Sequence, residues 1–396
     1  MDASAYSFGL RRVVAIGSVD DGKSTLIGRL LFDTGNVYAD QLAAVQKSSQ
    51  RKGKTEVDLS FITDGLAAER EQGITIDVAY RYFTTSTHRF ILADAPGHEE
   101  YTRNMITGAA NADTAVVLTD ARLGPTVQTV RHLFLAQLFG VKQLIVAVNK
   151  MDDVGYDKTV FDRIQNSITD SLARISVRDV TFIPVCALRG DMVVERGGNL
   201  GWYAGPTLLA ALEREPSVAP LADGVFRFSV QSAIRNSQDF RGYAGRIASG
   251  TIHVGDNITV LPSRRTSTVT RILLDPQECE LAHAPQSVVL TFSEEIGVSR
   301  GDVIVRSDEC AVHPPHIGDT LQAKVCWMSE YPLTEGATYM LKHGTRTLKG
   351  TVGRLHHRID MRTISPVPAD RLELNDVGSL HMVLHEPLVY DPYVEN

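Results

Sequence analysis

An octapeptide near the N-terminus, Gly17-Ser-Val-Asp-Asp-Gly22-Lys23-Ser24, restricts the folds open to this chain more than any other stretch. It fits G-x-x-x-x-G-K-[ST], follows the apolar run Arg12–Ile16 and opens a helical pattern over Ser24–Phe32. Strand, Gly-rich loop and helix in that order make a phosphate cradle, because backbone N–H groups turn inward and the helix N-terminus adds partial positive charge. Gly17, Ser18, Val19, Asp20, Asp21, Gly22 and Thr25 are expected to wrap the phosphates. Lys23 neutralises β/γ oxygens, and the Ser24 hydroxyl is a ligand for Mg²⁺.

The rest of the first half agrees with that unit. Ala79–Phe83, Phe90–Asp94, Ala115–Thr119, Leu144–Val148 and Phe182–Val185 read as buried strands. Helical segments lie between them, such as Val127–Phe139, with Val127, Val130, Phe134 and Leu138 on one stripe and Gly140 as the stop. Alternation of this kind predicts a mostly parallel sheet with helices on both faces. After Glu215-Pro-Ser-Val-Ala-Pro220, which reads as a linker, the period becomes two: Phe226, Phe228 and Val230; Ile252 and Val254; Ile258 and Val260. Turns such as Val254-Gly255-Asp256-Asn257 separate these runs, which is β-barrel punctuation. His313–Gly318 reads as a second boundary. The expectation is therefore a multidomain α/β plus all-β chain: a P-loop NTPase domain over 1–215 and β-barrel domains over 222–312 and 313–396.

Two further elements complete a nucleotide site. Asp94-Ala-Pro-Gly97-His98 follows an apolar strand. Asp94 can hold Mg²⁺ directly or through water, Gly97 can offer its amide to a γ-phosphate, and His98 can position the attacking water. Asn149-Lys150-Met151-Asp152 ends another strand. The Asp152 carboxylate accepts from N1–H and N2–H₂ of guanine, where adenine would leave it unpaired, a mismatch able to discriminate by about 10⁴. Asn149 can bond the base edge and tether the P-loop while the Lys150 stem covers the base. Cys186-Ala187-Leu188 follows a further strand, and the Ala187 N–H can reach guanine O6. Between these lies Arg70–Ile76, in which Thr75 is the candidate hydroxyl that joins Mg²⁺ only beside a γ-phosphate. Gln46–Glu56, rich in Lys and Arg, reads as a mobile solvated loop or a partner contact. The chain is thus read as a GTPase with GTP and Mg²⁺ as ligands.

Bulk properties exclude some alternatives. At 396 residues, 43% hydrophobic and 22% charged, the chain has the profile of a soluble multidomain protein. A net charge of −7 without a basic tract argues against nucleic acid as the main partner. The four cysteines, Cys186, Cys279, Cys310 and Cys326, form no C-x-x-C pair, which suits a reducing compartment. Cys310-Ala-Val-His313-Pro-Pro-His316 offers three soft ligands but no fourth and reads as an interdomain connector. No leader-like or membrane-length apolar run is present, so the expected location is cytoplasmic.

The motifs resemble those of translation-factor GTPases and, more closely, the GTPase subunit of bacterial sulfate adenylyltransferase. Aminoacyl-tRNA-delivering factors usually read G-H-V-D-H-G-K in the P-loop, whereas this chain carries Ser18 and Asp21 at the two histidine positions. The longer matching runs are Thr63–Phe83, His98–Met105, Trp202–Gly205, Phe240–Gly250 and Ser299–Asp302. The resemblance implies an assembly making adenosine 5′-phosphosulfate and pyrophosphate from ATP and sulfate. A smaller partner subunit would carry adenylyl transfer, with GTP hydrolysis here driving it. The sequence has one P-loop and no Ser-Gly-Gly-x-Asp-Ser pyrophosphate loop, in line with that division. By the same likeness Val19 and Ile74 form an apolar gate before His98. Cys186 stands where Ser is usual. Relatives continue beyond the point matching Tyr390–Asn396, so the third domain is expected to be truncated, with an open edge. An elongation-factor-like translational GTPase is the alternative, distinguishable by aminoacyl-tRNA binding.

Overall fold

The computed structural model describes residues 9–51, 57–62, 77–98, 101–173, 180–214, 221–235, 240–274 and 277–393. They divide into two compact units, the first built mainly from the chain up to Pro216 and the second mainly from the chain beyond it. The break falls in the expected linker 215–220, which itself lies outside the described residues.

In the first unit six strands form one sheet: β1 (Gly9–Ile16), β2 (Ala79–Thr84), β3 (His88–Asp94), β4 (Thr114–Asp120), β5 (Gln143–Asn149) and β6 (Val180–Pro184), in the order β2-β3-β1-β4-β5-β6. All neighbours are parallel except the edge pair β2–β3. Central strands covered on both faces need unbroken apolar runs. Accordingly every residue of β4 and Leu144–Asn149 of β5 are buried. Edge strand β2 alternates instead, leaving Tyr80 and Tyr82 exposed. Parallel register puts Ala15 beside Asp94 and Asp120 beside Asn149, so the motif-bearing strand ends share one edge of the sheet.

Two local expectations are corrected. The helix Val127–Leu138 is capped by Thr126, whose side chain accepts from Thr129 N, but its inner face is Thr129, His132, Leu133 and Ala136. The expected stripe is the outer one: Val127 is exposed and Val130, Phe134 and Leu138 are half-buried. The outer residues run i, i+3, i+7, i+11 and the inner ones i, i+3, i+4, i+7, both helical spacings, so periodicity alone does not select the buried stripe. Second, the expected loop from Gln46 is helical to Arg51, as part of Ala39–Arg51. Its Ala39-Asp-Gln-Leu-Ala-Ala-Val start is a strong helix-forming run, and Ser49 Oγ anchors the chain after the helix by accepting from Asp58 N at 2.9 Å.

The second unit has two main cores. Strands β7 (Arg227–Arg235), β8 (Arg241–Ser249), β9 (Thr251–His253), β10 (Asn257–Leu261), β11 (Arg265–Leu274), β12 (Gln277–Cys279), β13 (Leu281–His283), β14 (Ser287–Phe292) and β15 (Val303–Arg306) come first. The path β10-β15-β7-β8-β14-β11 returns to β10 through the β10–β11 pairing, so six of them close into a barrel. The period-two residues Phe226, Phe228, Val230, Ile252, Ile258 and Val260 fill it, whereas Val254 sits in the turn after β9. Next come β16 (His316–Cys326), β17 (Leu333–Thr334), β18 (Thr338–His343), β19 (Arg346–Asp360), β20 (Ser365–Val367), β21 (Arg371–Leu372) and β22 (Val377–Tyr390). Their main sheet runs β16-β22-β19-β18 and, among the described residues, does not close. The Cys310–His316 stretch is structural. Cys310 packs against Leu261, Val305 and Val389, the His316 ring stacks on Tyr390, and the His313 carbonyl accepts from Arg227 Nη2 at 2.9 Å. Among the described residues no His/Cys/Asp/Glu group is arranged to hold a metal, and no helix is long and apolar enough to cross a membrane.

Candidate nucleotide site

The loop after β1 turns through two left-handed residues, Asp20 (φ 68°) and Gly22 (φ 88°), before the helix Lys23–Asp33 begins. Gly22 is required twice over. Its φ favours glycine, and a Cβ there would collide with the Asn149 amide nitrogen. Asn149, buried at the end of β5, ties three loops together. Its Nδ2 donates to the Asp21 carbonyl at 2.8 Å, and its Oδ1 accepts from Ala187 N at 3.0 Å. A base approaching the Ala187 amide would therefore share a hydrogen already directed at Asn149. Lys150, at φ 61°, extends its ammonium to the Asp20 carbonyl and to Asp120 Oδ2, the latter at 2.9 Å.

On the other side of the loop, Ala95 N donates to Ala15 O at 3.1 Å and so docks the Asp94–His98 segment on β1. Gly97 lies directly against Gly17, since a Cβ on Gly97 would overlap the Gly17 carbonyl oxygen. Asp94 is buried, and its Oδ1 accepts from Lys23 Nζ at 2.5 Å. His98 is exposed, its carbonyl accepts from Tyr101 N at 3.0 Å, and the two rings are 6.0 Å apart. Val19 is also exposed. Thr75 and Ile74 lie outside the described residues.

The donor set suits Mg²⁺. The Ser24 hydroxyl and the Asp94 carboxylate are hard oxygen ligands, too few to cage a metal, as befits an ion that keeps waters and substrate phosphate oxygens. The Asp94 carboxylate already faces a cation, the Lys23 ammonium, at the end of the P-loop.

Asp152 occupies the one-turn 3-10 segment Met151–Val154 after β5. Its Oδ2 is 3.9 Å from the largely exposed Arg189. Cys186 and Ala187 are buried and Leu188 is exposed. Arg29, from the helix Lys23–Asp33, holds this last loop by donating to the carbonyls of Ala187 (3.2 Å) and Leu188.

The structure also supplies groups that motif reading does not reach. Asp120, at the end of β4, is buried and receives Lys150 Nζ and Arg122 Nη2, the latter at 2.6 Å. Burial alone would raise its pKa, but Arg122 and Lys150 hold the carboxyl down to about 2. Asp21 points inward as well, with Oδ2 accepting from Ser18 N at 2.7 Å. Burial pushes its carboxyl up to about 6 against the opposing Ser18 hydrogen bond, and the charge of Asp120 pushes the same way as burial. His132 is fully buried. Burial, with help from the charges of Arg131 and Lys23, pushes its imidazole down to about 3, which keeps it neutral near the P-loop lysine. The signal for Asp120 was available, since it ends an apolar strand just as Asp94 does.

Comparison with known proteins shows which family the chain resembles. Residues 9–226 match the family described as Elongation factor Tu GTP binding domain, and residues 320–396 match GTP-eEF1A C-terminal domain-like. Sulfate adenylyltransferase subunit 1 of Shewanella woodyi is 46% identical over 387 residues, 97% of this chain and 81% of that protein. The same subunit of Laribacter hongkongensis is 46% identical over 386 residues, 97% of this chain and 80% of that protein. A bifunctional enzyme CysN/CysC of Rhodopirellula baltica is 47% identical over 393 residues, 98% of this chain and 60% of that enzyme.

Proposed function

The chain belongs to the sulfate adenylyltransferase subunit 1 family of Elongation factor Tu-type GTPases, and from that premise we propose that it is the GTP-hydrolysing subunit of a heteromeric sulfate adenylyltransferase. In this reading it couples GTP hydrolysis to formation of adenosine 5′-phosphosulfate and pyrophosphate from ATP and sulfate. A smaller partner subunit performs the adenylyl transfer, and both act in the cytoplasm. The observation that carries the proposal is the convergence of Lys23, Asp94, Gly97 and Asn149 on one P-loop at one edge of the sheet.

The proposed chemistry is positioning and charge neutralisation. Backbone amides from Gly17 to Thr25 cradle the phosphates, and Lys23 exchanges its contact with Asp94 for β/γ oxygens. The Gly97 amide meets the γ-phosphate, and His98 places the attacking water. Asp152 selects guanine. Ser24, Asp94 and Thr75 would hold Mg²⁺, which when bound neutralises charge on the β/γ oxygens. Purified chain is mixed with the small subunit, ATP and sulfate, and pyrophosphate release is measured with and without GTP. GTP-dependent acceleration is expected. Equal rates without GTP, at confirmed complex formation, overturn the coupling.

A further inference from the structure

The helix Lys23–Asp33, which opens with the P-loop lysine, also grips the turn that follows β6. Arg29 Nε donates to the Ala187 carbonyl at 3.2 Å, and its Nη2 donates to the Leu188 carbonyl. The same guanidinium donates through Nη1 to Asp33 Oδ1 at 3.4 Å, one turn further along the helix. Its Cζ lies 5.9 Å from the centroid of the Phe32 ring. With 19% of the side chain exposed, the guanidinium fork is largely withdrawn from water. The turn is pressed against these side chains. At Gly190, with φ 88°, an added Cβ would lie 3.1 Å from Asp33 Oδ2 and 3.4 Å from Arg29 Cδ. Ala187 is therefore held from both ends, its N–H by Asn149 Oδ1 at 3.0 Å and its carbonyl by Arg29.

We propose that Arg29 is a positioning residue for base selection, whose forked grip on the Ala187 and Leu188 carbonyls sets the Ala187 N–H for the 6-oxo group of guanine. The proposal rests on the reading of that amide as the O6 donor. The need for a grip comes from sharing. The Ala187 hydrogen already points at Asn149 Oδ1, so a base oxygen takes only part of it, in a three-centre bond. Hydrogen bonds weaken steeply as the angle at hydrogen closes. A small rotation of the turn would hand the hydrogen wholly to Asn149 and leave O6 without a donor. Asn149 cannot oppose that rotation, because it is the competing acceptor. The restraint has to come from the carbonyl side, and Arg29 supplies it. A planar guanidinium can reach two successive carbonyls at once, whereas an ammonium is a point donor. Arg29 also stands six residues beyond Lys23 on one helix, about 9 Å along its axis. One rigid element thus sets the spacing between the lysine meant for the phosphates and the turn meant for the base.

The test measures binding of GTP, 6-thio-GTP and ITP to the full chain by titration calorimetry in the presence of Mg²⁺. In 6-thio-GTP a poor acceptor replaces the 6-oxo group while N1–H and the 2-amino group remain; ITP keeps the 6-oxo group and lacks the 2-amino group. The wild type is expected to prefer GTP over both. In Arg29→Met, which keeps an apolar stem and removes the donors, the GTP:6-thio-GTP affinity ratio is expected to fall about two- to tenfold, the range of one modest hydrogen bond. The GTP:ITP ratio is expected to stay at its wild-type value. Arg29→Lys, which keeps the charge but cannot bridge two carbonyls, is expected to recover only part of the first ratio, and it decides the matter should the Met variant not fold. A tether that only holds the fold together would weaken all three nucleotides alike. That result, or a wild-type GTP:6-thio-GTP ratio in either folded variant, overturns the role of Arg29. Equal affinity of the wild type for GTP and 6-thio-GTP overturns instead the placement of guanine O6 at Ala187, and that result is distinct because it needs no variant.

Discussion

Replacing Asp21 by Asn tests the electrostatics of the P-loop through stability rather than catalysis. The carboxyl titrates at the usual 3.8 in the unfolded chain and at about 6 in the folded one, because the side chain is only 5% exposed and faces Asp120. Linkage sets the sign. A raised folded-state pKa favours the folded state fully below 3.8, and that advantage is lost as pH rises through about 6. With each tenfold in ionisation constant equal to ~1.4 kcal/mol, holding the charge costs the folded state ~3 kcal/mol above pH 7 and about half that at pH 5. Asn cannot ionise, and its loss of one acceptor is a constant offset at every pH. The difference between Asp21→Asn and wild type should therefore move ~1–1.5 kcal/mol in the variant's favour between pH 5 and pH 8. For a unit of this size that is about 3–5 °C in Tm. Scanning calorimetry of both full-length proteins at constant ionic strength, without nucleotide, reads it directly. Asp120, held near 2, stays ionised over the whole range and contributes a constant repulsion. A variant-minus-wild-type Tm difference that is flat with pH, or that moves in the wild type's favour toward pH 8, refutes the reasoning.

Other expectations concern the site. His98→Ala should bind GTP normally but lose on the order of 10²-fold or more of partner-stimulated turnover, the usual scale for a group that positions a nucleophile; undiminished single-turnover hydrolysis would remove His98 from the mechanism. Asp152→Asn should shift preference from GTP toward xanthosine triphosphate, because the facing ring group changes from donor to acceptor, and competition binding with the two nucleotides decides it. Gly97→Ala should displace the P-loop, since its Cβ meets the Gly17 carbonyl. A stability loss of about 1–3 kcal/mol together with weakened nucleotide binding is expected, and wild-type values for both would contradict the close approach.

The phosphate loop, Asp94–His98 and Asn149–Asp152 were legible in the sequence because each chemical task confines its residues to a short contiguous stretch at a strand end. Apolar runs located the strands to within a few residues for the same local reason. What escaped were quantities set by distant partners. The helix Val127–Leu138 has two stripes of helical spacing, and only the sheet beneath it selects Thr129, His132, Leu133 and Ala136 as the inner face. Asp120 gains its role from Lys150 and Arg122, and the charge of Lys150 is brought to it by the register of β4 with β5. Asp21 reads as one more polar loop residue until burial and Asp120 make its charge expensive.

Barrel closure illustrates the same limit at larger scale. Period-two runs state that one face of each strand is buried, which an open sandwich and a closed ring satisfy equally. What decides is whether one strand finds partners on both sides, and β10 does. It pairs with β11 across a short turn, as local sequence can suggest, and with β15 across more than forty residues, as it cannot. The later sheet has the same alternating texture but lacks that double pairing, because β16 and β18 each have a single neighbour in the main sheet. The guanidinium of Arg227, on barrel strand β7, reaches both the carbonyl of His313 before this sheet and the carboxylate of Asp391 after it. The two ends of the segment are thus fastened to the closed barrel by one side chain. Closure of the barrel and anchorage of the sheet beside it are properties of pairs remote in sequence, which is why a reading confined to local pattern could place the strands but not join them.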